Sequence, residues 1–201
     1  PAVTNYSALA WELWEWLVRS KGVSSTAAVA DALLDSRDET RCDRPIVHNW
    51  TYMAGTVLSA ITALYHDSGN SSLLWWGVRI ANISLRQYAG PRGILVEAAI
   101  RGSRNPPIYK GVFIHGLSTF TRTLARTQPA VAARFSTFIC RNARSAYKHA
   151  QLDDEYSSYW TGPVSRQAVP CQMFEPNLKR WFPHEEGPTR GFQGDGKDRT
   201  P

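Results

Sequence analysis

Cysteine is scarce in this sequence, and long apolar runs are missing. The three cysteines among 201 residues form neither a C-x-x-C pair nor a zinc pattern: Cys42, Cys140 and Cys171. An odd number fits one disulfide plus one free thiol, with the pairing left open. Cys140 falls on an apolar helical face, where we expect a buried thiol. No apolar run approaches the roughly 20 residues of a membrane-spanning helix, so no transmembrane segment is predicted.

Basic tracts and metal-ligand patterns are also missing. The net charge is +6, yet no run of Lys and Arg reaches five residues. A solvated surface explains this scattered charge better than a nucleic-acid groove does. His48, His66 and His115 lack the spacing of metal ligands. We therefore predict no nucleic-acid partner, no metal and no other cofactor.

Four N-x-Ser/Thr sequons point to an extracellular setting. They begin at Asn5, Asn49, Asn70 and Asn82, and of these Asn70 lies in a turn signal and suits an acceptor best. Together with the cysteine count, they favour a secreted or cell-surface glycoprotein. The sequence begins at Pro1 without a charged and then apolar leader, so a signal peptide is neither indicated nor excluded.

Apolar residues recur at helical spacing in five segments, while strand signal is nearly absent. The five stripes cover residues 9–17, 54–65, 73–85, 112–124 and 131–147. Gly22 is expected to cap the first helix, and Asn70 or Ser71 the third. A weaker helical pattern covers residues 26–34, and only residues 94–96 resemble a short extended piece.

This pattern predicts an all-α fold made of antiparallel helical hairpins. Residues 1–165 form one domain in this interpretation. From residue 166 onward, proline, glycine and charge replace the apolar periodicity. We expect residues 166–201 to be a largely disordered tail, because such a composition has too little apolar surface to bury.

Two aromatic blocks stand where the second and fourth helices begin. The first reads H-N-W-T-Y-M-A-G at residues 48–55, and the second reads Y-K-G-V-F-I at residues 109–114. A W-T-G-P element follows at residues 160–163. The blocks, their order and their separation resemble glycoside hydrolase family 76, the α-1,6-mannanases and their fungal cell-wall relatives. There the two blocks usually read W-T-Y-N-Q-G and F-K-G-I-F.

The resemblance implies an (α/α)6 toroid, of which this sequence supplies about half, since five or six helices stand against about twelve. It also implies a monomeric retaining endo-glycosidase that acts on α-1,6-mannan or a mannoprotein glycan. The implied substrate contacts are Trp50, Tyr52, Glu97 and Lys110. Met53-Ala54 replace the two amides of the first block, which removes hydrogen-bonding groups for sugar hydroxyls.

Glycoside hydrolysis requires two carboxyl groups at the scissile bond. In the family these are adjacent aspartates in a context resembling Y-D-D-x-x-W-W, which we expect upstream of Pro1, so this segment alone is expected to be inactive. The sequence has one adjacent pair, Asp153-Asp154. It follows the fifth helix, where the family has a polar loop, so we favour a solvated loop over a catalytic pair.

Three alternatives to the hydrolase remain open. One is a cell-wall transglycosidase, and a second is a non-catalytic relative that only binds mannan. A third is a helical toroid with different chemistry, although the sequence has no D-x-D-D pattern of the terpene-cyclase type.

Overall fold

A computed structural model describes residues 5–35, 42–46, 50–90, 92–96, 106–149, 151–152, 155–156 and 160. The described residues are mostly helical, and the predicted all-α class is confirmed. The helices are α1 Tyr6–Arg19, α2 Thr51–Ser68, α3 Ser71–Tyr88, α4 Pro106–Leu124 and α5 Pro129–His149. The predicted tail, residues 166–201, lies outside the described residues.

Local capping chemistry fixes the ends of the helices. The Asn70 side chain accepts a 3.0 Å hydrogen bond from the Ser72 amide, which confirms Asn70 as the N-cap of α3. Gly69 closes α2 with a left-handed φ of 69°. The prediction for α1 was wrong: it ends at Arg19, and Lys21 takes the positive φ of 62° in place of Gly22.

α2 and α4 run parallel, side by side. Trp50 and Tyr109 touch where the two helices begin, and His66 bonds Thr123 where they end. The short turns between α2 and α3 (residues 69–70) and between α4 and α5 (residues 125–128) make each of these pairs antiparallel, and the helices of each pair pack against each other. Antiparallel helices around a parallel pair are compatible with an arc of a toroid, and the toroid itself stays a prediction.

Glycine permits a very close approach of α2 and α4. A methyl group added at Gly55 would lie 2.5 Å from the Phe113 Cα, and one added at Gly116 would overlap the Gly55 carbonyl oxygen. Around this crossing lie fully buried side chains from three helices: Leu58, Ile61, Leu73, Ile80, Phe113, Leu117 and Phe120. The two backbones are therefore held together near the start of α2 and in the middle of α4.

The buried side of α1 differs from the apolar stripe. Leu9, Leu13 and Trp16 are 55%, 60% and 42% exposed, while Trp14 is buried. The Trp14 ring packs edge-on against Trp76 of α3, with centroids 6.2 Å apart. The side of α1 that carries Trp14 therefore faces the core.

The predicted helix over residues 26–34 was wrong. Val23 and Val29 form an isolated bridge, and β1 Ala32–Asp35 pairs antiparallel with β2 Cys42–Ile46. The Ser24 hydroxyl accepts from the Ala28 amide at 3.0 Å, so the turn satisfies its backbone groups without a helix.

Two smaller β features complete the description. Leu95 forms a bridge with Ala89, in line with the extended piece predicted at residues 94–96. A second two-stranded ribbon joins β3 Gln151–Leu152 to β4 Glu155–Tyr156. Asp153 and Asp154 fall between these strands and lie outside the described residues.

The expectation of a buried thiol at Cys140 was also wrong, because this cysteine is free and exposed on α5. The buried residues of α5 are Ala132, Phe135, Phe138 and Asn142. Position 140 lies about 200° around the helix from both Phe138 and Asn142, which turns it towards solvent.

The helix crossing makes a direct prediction for stability. Gly116→Ala should lower the free energy of unfolding by at least about 2 kcal/mol, because its methyl group would overlap the backbone of α2. Gly111→Ala is the matched control on the same helix, since open space surrounds that position. It should be neutral or stabilising by up to about 1 kcal/mol. Urea unfolding of both variants measures the difference, and equal effects would contradict the crossing.

Candidate functional site

The first aromatic block places Trp50 immediately before α2. Its backbone is extended, with φ −99° and ψ 129°, and its side chain is 6% exposed. The indole packs edge-on against the Tyr109 ring of α4, with centroids 5.1 Å apart. Trp50 therefore supports Tyr109 from the protein side, an aromatic geometry worth about 1 kcal/mol beyond the buried area.

Tyr52 and Tyr109 form a pair of half-buried rings at the shared start of α2 and α4. Their centroids are 4.5 Å apart, at an interplanar angle of 41°. The Tyr52 hydroxyl donates a 2.8 Å hydrogen bond to Oδ1 of Asp31, which precedes β1. Burial, the bond to Asp31 and the carboxylate charge together raise the pKa of Tyr52 to about 12. The phenol thus remains a neutral donor at physiological pH.

Lys110 follows Tyr109 on α4 and is buried, with 4% of its surface exposed. Its Nζ lies 3.5 Å from the Leu95 carbonyl oxygen and 4.9 Å from the centre of the Trp160 ring. The Ser145 hydroxyl donates to the Trp160 carbonyl at 2.6 Å. Cation–π attraction and the carbonyl contact offset the cost of burying an ammonium group at a helix start.

Asn142 of α5 holds the loop that Lys110 contacts. It is completely buried, and its Oδ1 accepts from the Leu95 amide at 2.7 Å. Its Nδ2 donates to the carbonyl oxygens of Gly93 and Phe138, each at 3.0 Å. One amide side chain therefore satisfies three backbone groups and fixes residues 93–95 beside the start of α4.

Of the predicted substrate contacts, Trp50 and Tyr52 meet at Tyr109, and Lys110 adjoins them in the sequence of α4. Glu97, the fourth predicted contact, lies outside the described residues. The starts of α2 and α4 thus lie together, while the substrate roles of these residues stay predictions.

Asp31 and Asn142 were not identified from the sequence as residues of the site. Asp31 falls in the stretch that was interpreted as a helix, so no local pattern related it to Tyr52. Asn142 did leave a signal, because it follows Phe135 and Phe138 at helical spacing and is a polar residue on the core stripe.

Met53 and Ala54, which replace the two amides of the first block, are buried to different extents. Ala54 is 2% exposed and belongs to the core, whereas Met53 is partly buried and packs against the core. A longer amide at position 54 would need space that the present packing does not leave. The substitution Met53-Ala54 is therefore matched to the packing around it.

In the described part of the chain, Asp31 is the carboxylate that bonds within this aromatic cluster. No group of three or more His, Cys, Asp or Glu that could hold a metal ion occurs among the described residues. Asp153 and Asp154 lie outside them. No described helix is long and apolar enough to cross a membrane.

A family model supplies the class to which this fold and its aromatic cluster belong. The model described as glycosyl hydrolase family 76 matches residues 3–175. The protein is by class a glycoside hydrolase, and a glycan substrate follows from that class. The chain belongs to glycosyl hydrolase family 76. No curated protein matches the chain.

Titration of Tyr52 tests the carboxylate contact. Its folded pKa lies above the unfolded value of about 10, so the native state holds the phenol proton more tightly. This contribution to stability is complete below pH ~10 and is lost as pH rises towards 12. Asp31→Asn should lower the pKa of Tyr52 part of the way towards 10, because burial remains.

Difference titration at an ultraviolet wavelength, wild type against Tyr52→Phe, isolates this one phenol. Asp67→Asn is the control, because Asp67 bonds Ser7 at the opposite end of α2. Ionisation of Tyr52 near pH 10 that is unaffected by Asp31→Asn would contradict the contact.

Asn142 makes a second testable prediction. Asn142→Ala should lower the free energy of unfolding by about 2–4 kcal/mol, since it leaves buried backbone groups without partners. The Leu95 amide should exchange its hydrogen faster with solvent. Thr137→Ala, on the exposed side of the same helix, should change stability by no more than about 0.5 kcal/mol. Unchanged protection of the Leu95 amide would show that Asn142 does not hold the loop.

Proposed function

We propose that the protein is an endo-glycosidase that acts on α-1,6-linked mannan with retention of configuration. The observation that carries this proposal is the Tyr52–Tyr109 pair with its bound carboxylate, where two motif-bearing helices begin. Half-buried tyrosines offer ring faces to sugar C–H groups and hydroxyls to sugar oxygens. Family membership restricts the ligand to a glycan, and the two sequence blocks favour mannan.

The residues at the start of α2 and α4 have separate roles in this proposal. In the proposal, Tyr52 and Tyr109 contact a mannose ring, and Asp31 orients the Tyr52 hydroxyl. Trp50 contributes to the same wall and supports Tyr109. Lys110 acts together with Glu97 at the edge of the cleft.

The acid and nucleophile are proposed to be the adjacent aspartates of the family motif, in sequence that precedes Pro1 in the full-length protein. A retaining mechanism places two carboxyl groups about 5 Å apart across the scissile bond. Asp31 alone does not provide such a pair. Asp153-Asp154 is the internal alternative, and its position after α5 makes it the less favoured one.

A protein that only binds mannan is the second candidate, and one sequence observation favours it. Met53 replaces an amide next to Tyr52, so the wall has lost a hydrogen-bonding group and affinity should be reduced. A cell-wall transglycosidase would use the same wall and differ in its acceptor.

The environment and oligomeric state belong to the same proposal. A secreted or cell-surface location agrees with the sequon at Asn70, which is exposed in the turn between α2 and α3. Asn82 is a poorer acceptor, because it is half-buried within α3. We propose that the protein is a monomer in that location.

Binding and hydrolysis can be measured on the same 201-residue protein. It should bind α-1,6-mannan and release no reducing ends. Tyr109→Ala should weaken binding by up to about tenfold, because an aromatic contact is worth about 0.5–1.5 kcal/mol and about 1.4 kcal/mol corresponds to a tenfold change in affinity. Tyr6→Ala is the control, since Tyr6 is 75% exposed at the opposite end of the helices. Affinity electrophoresis in mannan gels gives the binding constants.

Two results would contradict this proposal. Equal loss of binding in both tyrosine variants would remove the site from the start of α2 and α4. Hydrolysis of α-1,6-mannan that Asp153→Asn or Asp154→Asn abolishes would place the catalytic pair inside this sequence. Binding without hydrolysis, by a longer chain that includes a tryptophan-flanked aspartate pair, would favour the mannan-binding protein instead.

A further inference from the structure

We propose that a pocket at the end of α2 and α4 opposite the Tyr52–Tyr109 pair binds the phosphate monoester of a sugar. The pocket has a volume of about 420 Å³, within the range that accommodates small ligands. Its lining comes from the last turns of both helices and the turn after α4: Tyr65, His66, Thr119, Arg122, Thr123, Arg126 and Thr127. This site goes beyond the proposed mannan site and does not depend on it.

The charge of the lining selects an anion. Arg122 lies in the last turn of α4 and Arg126 follows two residues past its end, so the two guanidinium groups share one rim. None of the described residues that line this pocket carries a carboxylate. A guanidinium group can bind two phosphate oxygens through two parallel hydrogen bonds. The two arginines therefore suit a sugar phosphate better than a neutral sugar.

The C-terminal ends of α2 and α4 each carry about half a negative charge, which opposes an anion, but the two full positive charges of the arginines exceed it. Amides of the turn after α4 already cap its last carbonyl oxygens: Ala125 bonds the Thr121 carbonyl at 3.0 Å, and Gln128 bonds the Leu124 carbonyl at 2.7 Å. The Arg122 guanidinium has one side-chain contact, at 3.4 Å, with the Thr119 hydroxyl. Both arginines are exposed and can turn towards a ligand.

The rest of the lining fits a sugar attached to that phosphate. The Tyr65 ring is half-buried and lies beside the His66 ring, with centroids 5.9 Å apart. His66 Nε2 lies 2.9 Å from the Thr123 hydroxyl, which is 7% exposed and forms the floor. An aromatic wall with hydroxyl groups opposite it matches a ring that carries both C–H faces and hydroxyls.

The two sites are well separated. Tyr52 and His66 are fourteen positions apart on α2, which corresponds to about 21 Å along the helix axis. A ligand bound at one site therefore does not contact the other site. A substitution at one site leaves the other site intact.

The test titrates the 201-residue protein with mannose 6-phosphate, glucose 6-phosphate, mannose and inorganic phosphate by calorimetry. A hexose phosphate should bind at least tenfold more tightly than either mannose or inorganic phosphate. The double variant Arg122→Gln/Arg126→Gln should lose this binding at least tenfold. The double variant Arg19→Gln/Arg86→Gln changes the net charge equally, in the last turns of α1 and α3, and should retain it.

Circular dichroism verifies that both double variants remain folded, since all four side chains are on the surface. Equal affinity for inorganic phosphate and hexose phosphate would overturn the sugar part of the proposal. Absence of binding at millimolar ligand, or equal loss in both double variants, would overturn the site.

Discussion

The close crossing of α2 and α4 is the constraint on which the rest of this structure depends. Gly55 and Gly116 let two parallel backbones approach until no methyl group fits between them. A crossing this close leaves little freedom in rotation or register, because large side chains surround it. It therefore determines that Trp50 and Tyr52 meet Tyr109 at one end and that His66 meets Thr123 at the other.

A second set of contacts holds the start of α4 and the loop beside it in position. The buried amide of Asn142 anchors residues 93–95 from α5, and the Leu95 carbonyl in turn faces the buried ammonium of Lys110. Trp160 covers that ammonium and is itself held by Ser145. Four separate segments are thus coupled through polar groups that would each be costly to leave unpaired. This arrangement explains why a lysine is tolerated at the start of α4, where the helix dipole opposes it.

The helices could be predicted because each combines a long apolar periodicity with its own capping residues, as at Asn70. The contacts of the site could not, because they join residues far apart in sequence. Tyr52 was recognisable as part of a motif, but its partner Asp31 lies between a turn and a strand, in a stretch whose alanine and leucine content also fits a helix. Cys140 shows that apolar neighbours in the sequence do not establish burial. Phe138 and Asn142 lie on the buried side of α5, so Cys140 between them faces the solvent.

A crystal structure of the 201-residue protein with an α-1,6-linked mannotriose tests the central claim most directly. The account predicts a mannose ring against Tyr52 and Tyr109, with one of its hydroxyls within hydrogen-bond distance of the Tyr52 hydroxyl. It also predicts that the Gly55–Gly116 crossing is unchanged by the sugar. A trisaccharide bound on another surface, with the tyrosine pair empty, would contradict the account, as would a complex in which α2 and α4 separate to admit the ligand.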